Sequence, residues 1–531
     1  MKDKKRNIFI GGAWPYANST LHVGHLAALL GGDVLARYFR LKGENVVYVS
    51  GSDCHGTPIT LRAIKEGKEP RMIAKHFHDA FVNLFNLLNF EYDFYGETSA
   101  PYHHEEVKKL LLTLEKNGYI FEKEEDQIYC NTCEKFLNDR EIVFTCPSCG
   151  KQAKGEGCDC KHHPILEELL SGNCVLCGSK VTTKKDKNLY FKLSAFQKQI
   201  EEYVDNNKDR WRLNAVNETK KYLNQGLIDR AITRDLDWGI EVPFKGYEHK
   251  RIYVWIEAVL GYISTCKKYC QDNNLDWNDF LKEDKNDLYY MVHGKDNIVF
   301  HTIIFPALLL GLNEGYRLPT DIVSSEFMTL DGDKISKSTG NYKETDEIVA
   351  YGSSDTLRFY IMGYGPEKKD SDFSLKDYAT IHNNEIVNKF GNFINRTLKF
   401  KGINKIEVNV LDPLIRTRIE ETYDQVSTNI EKYEFREAAR SALHLVEFAN
   451  KYYDDSKPWI LFKEDIDKFN EVIYNCAVII ANLANIFLPF MPETSKKIAR
   501  LLNLELSFEF TSLDNDIALD NIETLFTRIK I

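Results

Sequence analysis

Residues 15–43 read PYANSTLHVGHLAALLGGDVLARYFRLKG. A turn-rich run leads into His22 and His25, with Gly24 between them, and then into apolar residues at helical spacing. If these residues open a helix, a separation of three puts both imidazoles on one face. The start of a helix also presents free N–H groups and the positive end of its dipole, a natural seat for phosphate. Gly24 has no side chain, so a flat ligand can lie close to the backbone there. Two imidazoles at that point can hydrogen-bond an oxygen as negative charge develops on it. The HxGH pattern alone is also compatible with a pair of surface or metal-binding histidines.

Around this stretch, residues 1–117 alternate β-rich runs (RNIFIGG, NVVYVSGSD) with helix-period runs (LAALLGGDVLARYFRLKG, MIAKHFHDAFVNLFNLLNF). Strands alternating with helices predict a parallel, doubly wound α/β sheet. Residues 118–235 break the rhythm with cysteine knuckles and two helical stretches. The rhythm returns over 236–325 in RIYVWIEAVLGYIS, DLYYMVHGKDN and VFHTIIFPALLLGLN, which predicts a domain inserted into the sheet. Residues 326–380 form a connecting segment carrying DGDKISKSTGN, and 381–531 are helix-periodic almost throughout, predicting a helix bundle.

At 531 residues the chain exceeds one small core, and 43% apolar with 12% aromatic content excludes general disorder. A net charge of −10 excludes a general nucleic-acid coat but leaves room for a local basic face. The most apolar tract, CAVIIANLANIFLPFMP, is interrupted by Asn482, Asn485 and Pro489 and reads as a buried helix rather than a membrane span. With no N-terminal signal pattern, the expectation is a cytoplasmic protein without a membrane partner.

Of twelve cysteines, eight lie between Cys130 and Cys177 in four knuckles: Cys130/Cys133, Cys146/Cys149, Cys158/Cys160 and Cys174/Cys177. Three are C-x-x-C, a spacing at which one tight turn presents two thiolates to tetrahedral Zn²⁺. Eight thiolates suit two closed structural sites, with disulfides disfavoured in a reducing compartment. The third knuckle is C-x-C, so His162 or His163 is a possible replacement for one thiol there. Cys54, Cys266, Cys270 and Cys476 show no such pairing and are expected to be buried thiols.

The segment KISKS places Lys334 and Lys337 in a polar loop bounded by Gly332 and Gly340. Lysines on such a loop suit a clamp on a triphosphate. The pair HVGH and KISKS resembles the paired signatures of class I aminoacyl-tRNA synthetases. Among these the chain is similar to the methionyl-tRNA synthetase family in PYANSTLHVGH, GSDCHGTPI, TRDLDWGIEVP, YVWIEAVLGYIS, GKDNIVFHTIIFPA, KISKSTGN and DDSKPWIL, in that family's order. The resemblance implies a Rossmann-like parallel-sheet catalytic domain with an inserted zinc-knuckle domain, followed by an α-helical bundle anticodon-binding domain.

It also implies an activity: ATP-dependent joining of L-methionine to tRNA(Met), with Mg²⁺ accompanying ATP and one or two structural Zn²⁺ sites. His22, His25, Lys334 and Lys337 would be catalytic. Tyr16, Asn18, Gly24, Gly294, Asp296, Ser336 and Ser338 would join them around ATP. Asp53 would hold the methionine α-ammonium, and Trp14, Tyr16, Trp255, Ala258, Tyr262 and His301 would surround the thioether. Trp14 stands where the family's commoner pattern has leucine, and Val259 where it often has proline. For the knuckles the resemblance implies nesting, first with fourth and second with third, while sequential pairing stays open. Asn392, Arg396 and Trp459, in GNFINRT and DDSKPWIL, would read the anticodon. The expected partners are tRNA(Met), ATP and L-methionine. The chain ends after the helical segment with nothing resembling an added oligonucleotide-binding domain, so a monomer is expected. A class I synthetase for another apolar amino acid, an HxGH nucleotidyltransferase without tRNA, and a zinc-knuckle nucleic-acid module without activity are the competing readings.

Overall fold

The computed structural model describes residues 5–155, 157, 158, 160, 162–282, 287–335, 340–519 and 522–531. A five-stranded sheet forms the centre: β1 (Asn7–Gly12), β2 (Asn45–Ser52), β3 (Phe94–Glu97), β4 (Leu288–Gly294) and β5 (Asp321–Ser325), ordered β5-β4-β1-β2-β3 across the sheet. Every neighbour pair is parallel, with Ile8 beside both Val46 and Leu288, Val49 beside Phe94 and Tyr290 beside Asp321. This is the doubly wound arrangement, whose strand order reverses between β1 and β4. In such sheets the ligand crevice opens at the carboxyl ends of the strands at that reversal.

Helix α1 (Val23–Leu41) crosses from β1 to β2 and is buried along most of its length. Two consecutive glycines in a helix cost about 1 kcal/mol each in propensity, and close packing explains them here. A Cβ on Gly31 would sit 2.8 Å from the Phe435 ring, and one on Gly32 would sit 2.8 Å from the Tyr48 hydroxyl. The helix therefore touches β2 on one side and the C-terminal helical region on the other at backbone distance.

Between β3 and β4 the chain leaves the sheet. Ile120–Cys130 pairs antiparallel with Thr182–Phe191, from Ile120 opposite Phe191 to Tyr129 opposite Thr182. This hairpin carries the knuckles at its far end, on a small sheet of Gln152–Lys154, Ile142–Thr145 and Asn173–Cys174. Lys250 fastens the hairpin: its buried ammonium lies 2.7 Å from Asp186 on the hairpin and 2.8 Å from Asp235.

After β5, helices Pro413–Glu431, Phe435–Ser456, Ile466–Phe487 and Pro492–Leu502 build a bundle. Ile466–Phe487 is long and apolar enough to cross a membrane, but it is packed inside the bundle. The two asparagines that interrupt its apolar run are buried and bonded. Asn482 accepts from the Tyr423 hydroxyl (3.0 Å) and the Thr511 N–H (2.9 Å), and Asn485 accepts from the Ser507 N–H (3.2 Å). They pin the strap that follows Leu502.

The sheet, α1 and the bundle meet at Asp33. Its carboxylate, fully buried on α1, lies 2.7 Å from Arg37 and 2.6 Å from Arg358, and accepts the Glu91 N–H at 2.7 Å. Burial by itself would raise the Asp33 pKa. The two guanidinium charges and the N–H outweigh it and hold the group below its usual value. We expect Asp33→Asn to lower stability by about 3–5 kcal/mol, because buried Arg358 loses the carboxylate it pairs with and Arg37 keeps only Glu91. Because the folded pKa is depressed, this contribution is complete above the usual carboxylate range and is lost as pH falls through the lower folded value. Acid and thermal unfolding of the variant against the parent checks both.

Candidate active site

His22 is the N-cap of α1, and its extended backbone lets its Nδ1 accept the Gly24 N–H at 3.2 Å. The His22 N–H in turn donates to His25 Nδ1 at 3.1 Å, and the two rings lie 3.9 Å apart. A backbone N–H can only donate, so both Nδ1 atoms are unprotonated and each ring carries its proton on Nε2. The helix start is therefore not a set of bare N–H groups, as the sequence suggested. The imidazoles take up the Gly24 and His22 amides and present two Nε2–H donors instead. Burial, with the neighbouring His22 adding to it, holds His25 down to about 3, so it is neutral at physiological pH.

A cavity of about 620 Å³ opens beside these rings, at the carboxyl ends of β1, β4 and β5. It brings together His22, Gly24, His25, Gly294, Asp296 and Lys334, with Trp14 on its wall. Gly294 is small for a reason, since a Cβ there would lie 2.6 Å from an Asp296 carboxylate oxygen. Lys295 beside it is held by Glu326 (2.7 Å) and Asp370 (2.6 Å). Ser336, Lys337 and Ser338 lie outside the described residues. The downstream flank of that segment is tied to the histidine segment. Tyr342 and Thr20 hydroxyls meet at 2.5 Å, both reach Glu344 (2.9 and 3.0 Å), and Thr345 donates to the Leu21 carbonyl at 3.1 Å. Asn18 sits in the turn before the histidines, with Arg62 donating to its carbonyl.

Asp53 follows the carboxyl end of β2 and bridges to Tyr16, its N–H donating to the Pro15 carbonyl at 2.9 Å. Its carboxyl is buried. Burial first, and then the nearby Glu257, push its pKa well above the ordinary range. Helix α2 (Val254–Asp272) carries Trp255, Ala258 and Tyr262 at offsets of three and four, on one face. Trp255 Nε1 donates to the Tyr16 hydroxyl at 2.7 Å. His301 donates from Nδ1 to the Asn297 carbonyl (2.8 Å), so its Nε2 accepts the Tyr262 hydroxyl (2.8 Å). Trp14 lies in a slot made by absent side chains: a Cβ on Gly51 or Gly261 would fall 2.4 or 2.6 Å from its ring. Val259 is buried.

The chain matches the family model described as tRNA synthetases class I (M) over residues 8–398, and that of the anticodon-binding domain of tRNA ligase over residues 412–526. It is 45% identical to methionine--tRNA ligase 1 of Alkaliphilus oremlandii (strain OhILAs), over 98% of this chain and 97% of that protein. It is 43% identical to methionine--tRNA ligase of Bacillus mycoides (strain KBAB4), over 99% and 97%. The chain belongs to the methionine--tRNA ligase family of class I synthetases. Its fold superposes on Mycobacterium tuberculosis methionyl-tRNA synthetase in complex with methionyl-adenylate with a TM-score of 0.82, at 24% identity, covering 98% of this chain and 100% of that one.

In this family member the eight knuckle thiols fall into two groups, Cys130/Cys133/Cys174/Cys177 and Cys146/Cys149/Cys158/Cys160, each with its sulfurs within 4.8 Å of one another. The grouping is nested rather than sequential. Neighbouring sulfurs are 3.4–3.9 Å apart, close to the edge of about 3.8 Å for a tetrahedron with Zn–S near 2.3 Å. Each group can hold Zn²⁺. Both thiols of the C-x-C knuckle join the second group. His162 turns instead to Ser148 (3.1 Å) and Glu168 (2.8 Å).

In the bundle, Asn392 and Arg396 share a helix face; Arg396 pairs with Asp454 and lies 4.1 Å over the Tyr453 ring, 6.2 Å from which stands the half-exposed Trp459. Sequence reasoning did not single out Tyr453, the Thr20–Tyr342–Glu344 tie, or a buried pair behind Asp53, His55 and Glu257. Both members of that pair lie in stretches that carry the resemblance, His55 in GSDCHGTPI and Glu257 in YVWIEAVLGYIS, without being marked themselves. We expect metal analysis of the purified chain to return two zinc equivalents. The double variant Cys130→Ser/Cys174→Ser should lose one and keep the other, whereas sequential pairing would put these two thiols in different sites and lose both.

Proposed function

We propose that the chain activates L-methionine with ATP to methionyl-adenylate and passes the methionyl group to the 3′-terminal ribose of tRNA(Met), supplying protein synthesis in the cytoplasm, initiation included. The observation that carries this reading is the single cavity walled by His22, His25 and Lys334, residues far apart in the chain. In the first step the methionine carboxylate attacks the α-phosphate in line, and pyrophosphate departs. Negative charge grows on the α-phosphate oxygens and on the leaving group. The two neutral Nε2–H donors suit the former and the lysine the latter. Lys337, assigned to the same task by resemblance, supports the clamp from the other end of KISKS. Mg²⁺ entering with ATP adds charge neutralisation on its phosphates. Gly294 and Asp296 face the nucleotide.

Asp53 pairs the α-ammonium, holding the carboxylate toward the phosphate. Trp14, Tyr16, Trp255, Ala258, Tyr262 and His301 enclose the side chain, and a polarizable thioether packs well against such rings. In the second step the tRNA ribose hydroxyl attacks the adenylate carbonyl and AMP leaves. Neither step needs a covalent enzyme intermediate, so catalysis is positioning and charge stabilisation. The two closed thiolate sites are structural, leaving no position for water. At the other end, the Arg396 guanidinium and Asn392 amide can read base edges, and Trp459 can stack an unstacked loop base.

Methionine-dependent ATP–pyrophosphate exchange tests the reading directly. Lys334→Ala should slow exchange by about 10²–10³-fold with the methionine KM nearly unchanged. Asp53→Asn should raise the methionine KM by about 10–100-fold and leave that for ATP in place. Exchange driven equally well by isoleucine or valine would assign the chain to another apolar amino acid.

A further inference from the structure

The His22 ring accepts the Gly24 N–H on Nδ1 at 3.2 Å, the long end of the range for such a bond. Two further rings flank it. His25 lies 3.9 Å away, tilted by 42°, and Tyr342 meets it in a T-shape at 6.2 Å and 79°. Tyr342 is itself held. Its hydroxyl lies 2.5 Å from that of Thr20, 322 positions away, and both reach the Glu344 carboxylate, at 2.9 and 3.0 Å. Burial pushes the Tyr342 hydroxyl up to about 12, so it keeps its proton for this tie. The neighbouring Asn341 donates from Nδ2 to the carbonyls of Leu330, Asp333 and Lys334, at 2.8, 3.2 and 3.3 Å. Tyr342 stands outside the residues that wall the cavity. A ring needed only to fill space beside His22 would serve as well without its hydroxyl.

We propose that Tyr342, tied through its hydroxyl to Thr20 and Glu344, is a positioning residue that fixes the His22 ring for adenylate formation. The inference rests on the reading of His22 as a donor to the α-phosphate. A donor stabilises developing charge only from about 2.7–3.1 Å, and a displacement of about 1 Å can cost 10²-fold in rate. A ring hinged on one long hydrogen bond can swing its Nε2. An aromatic edge set against it resists that swing, provided the edge is itself fixed. The hydroxyl tie supplies that fixity. Thr20 precedes His22 by two residues, so the tie closes on the same turn that leads into α1. Thr345 reinforces it, donating to the Leu21 carbonyl at 3.1 Å. Through Asn341 the tie also reaches the Lys334 carbonyl, so the imidazole and the lysine share one frame. Tyr342 acts through His22 rather than on a ligand. Its loss therefore falls on the rate of the chemical step and spares substrate binding.

Methionine-dependent pyrophosphate exchange tests this. Tyr342→Phe keeps the ring and removes the hydroxyl. It should lower kcat by about three- to tenfold, with the KM values for methionine and ATP within about twofold of the parent and the thermal midpoint unchanged. Tyr342→Ala removes the ring as well and should lose about 10–100-fold. The deciding variant adds Tyr342→Phe to His22→Asn, whose amide oxygen can still accept the Gly24 N–H. In that background Tyr342→Phe should cost no more than about a further twofold, because the ring it orients is gone. Losses that multiply would make Tyr342 independent of His22 and overturn the proposal. So would a Tyr342→Phe chain with the parent kcat, or one whose kcat falls only in step with its thermal midpoint. His22→Asn alone separates the failures. If it leaves exchange untouched, the phosphate role of His22 falls and the proposal with it; if it slows exchange while the two losses multiply, only the present proposal falls.

Discussion

The Asp33 carboxylate is the point on which the remaining geometry hangs. It sits ten residues into α1 and receives charge from its own helix (Arg37) and from helix Ser354–Tyr364 (Arg358). Arg358 continues outward, donating to the carbonyls of Leu88, Pro489 and Phe490. One buried anion thus fixes α1 against the connection after β5, the loop before β3 and the entry to the last bundle helix. Desolvating three ions is expensive, and the arrangement persists because nearly every donor of Arg358 has an acceptor. The consequence for function is rigidity at a distance. The N-terminal turn of α1 carries both imidazoles, so their position is set by a helix that cannot slide.

The second constraint is the tie between the two signature segments. Thr20 and Leu21 lie immediately before His22, and Tyr342, Glu344 and Thr345 lie just after the KISKS run. Upstream, Lys334 and Ile335 line the cavity that the histidines open onto. Both described flanks of the lysine segment therefore lie beside the imidazoles.

Much of this was legible from short-range pattern. The alternation of strand and helix periods and the apolar helix interrupted by Asn482 and Asn485 reflect local rules, and the structure shows the corresponding elements. Spacing alone marked eight thiols as paired turns, but which knuckles meet depended on the hairpin that carries them, and spacing could not decide it. Side-chain pairings that join distant chain segments left no trace in periodicity or spacing. His55 and Glu257 are 202 positions apart, and neither stands in a periodic run that marks it. Trp14 could be seen as a departure from the family pattern, yet its accommodation lies in Gly51 and Gly261, whose significance is the absence of a side chain at two points of close approach. The reading of α1's start was incomplete for a related reason. Helix geometry predicts free amides at any helix start, and only the rotamers of His22 and His25 show those amides capped by the rings.

That last detail decides how charge is divided in the site. Were the imidazoles cationic, they would bind ATP tightly in its ground state and gain little as the reaction proceeds. In the proposed reaction, neutral donors with their Nδ1 atoms occupied by backbone amides would offer hydrogen bonds that strengthen as the α-phosphate oxygens take on charge. In that reading the leaving group falls to Lys334, which lines the same cavity. His25 is kept neutral by burial at the first turn of the same helix whose middle Asp33 ties to the rest of the fold.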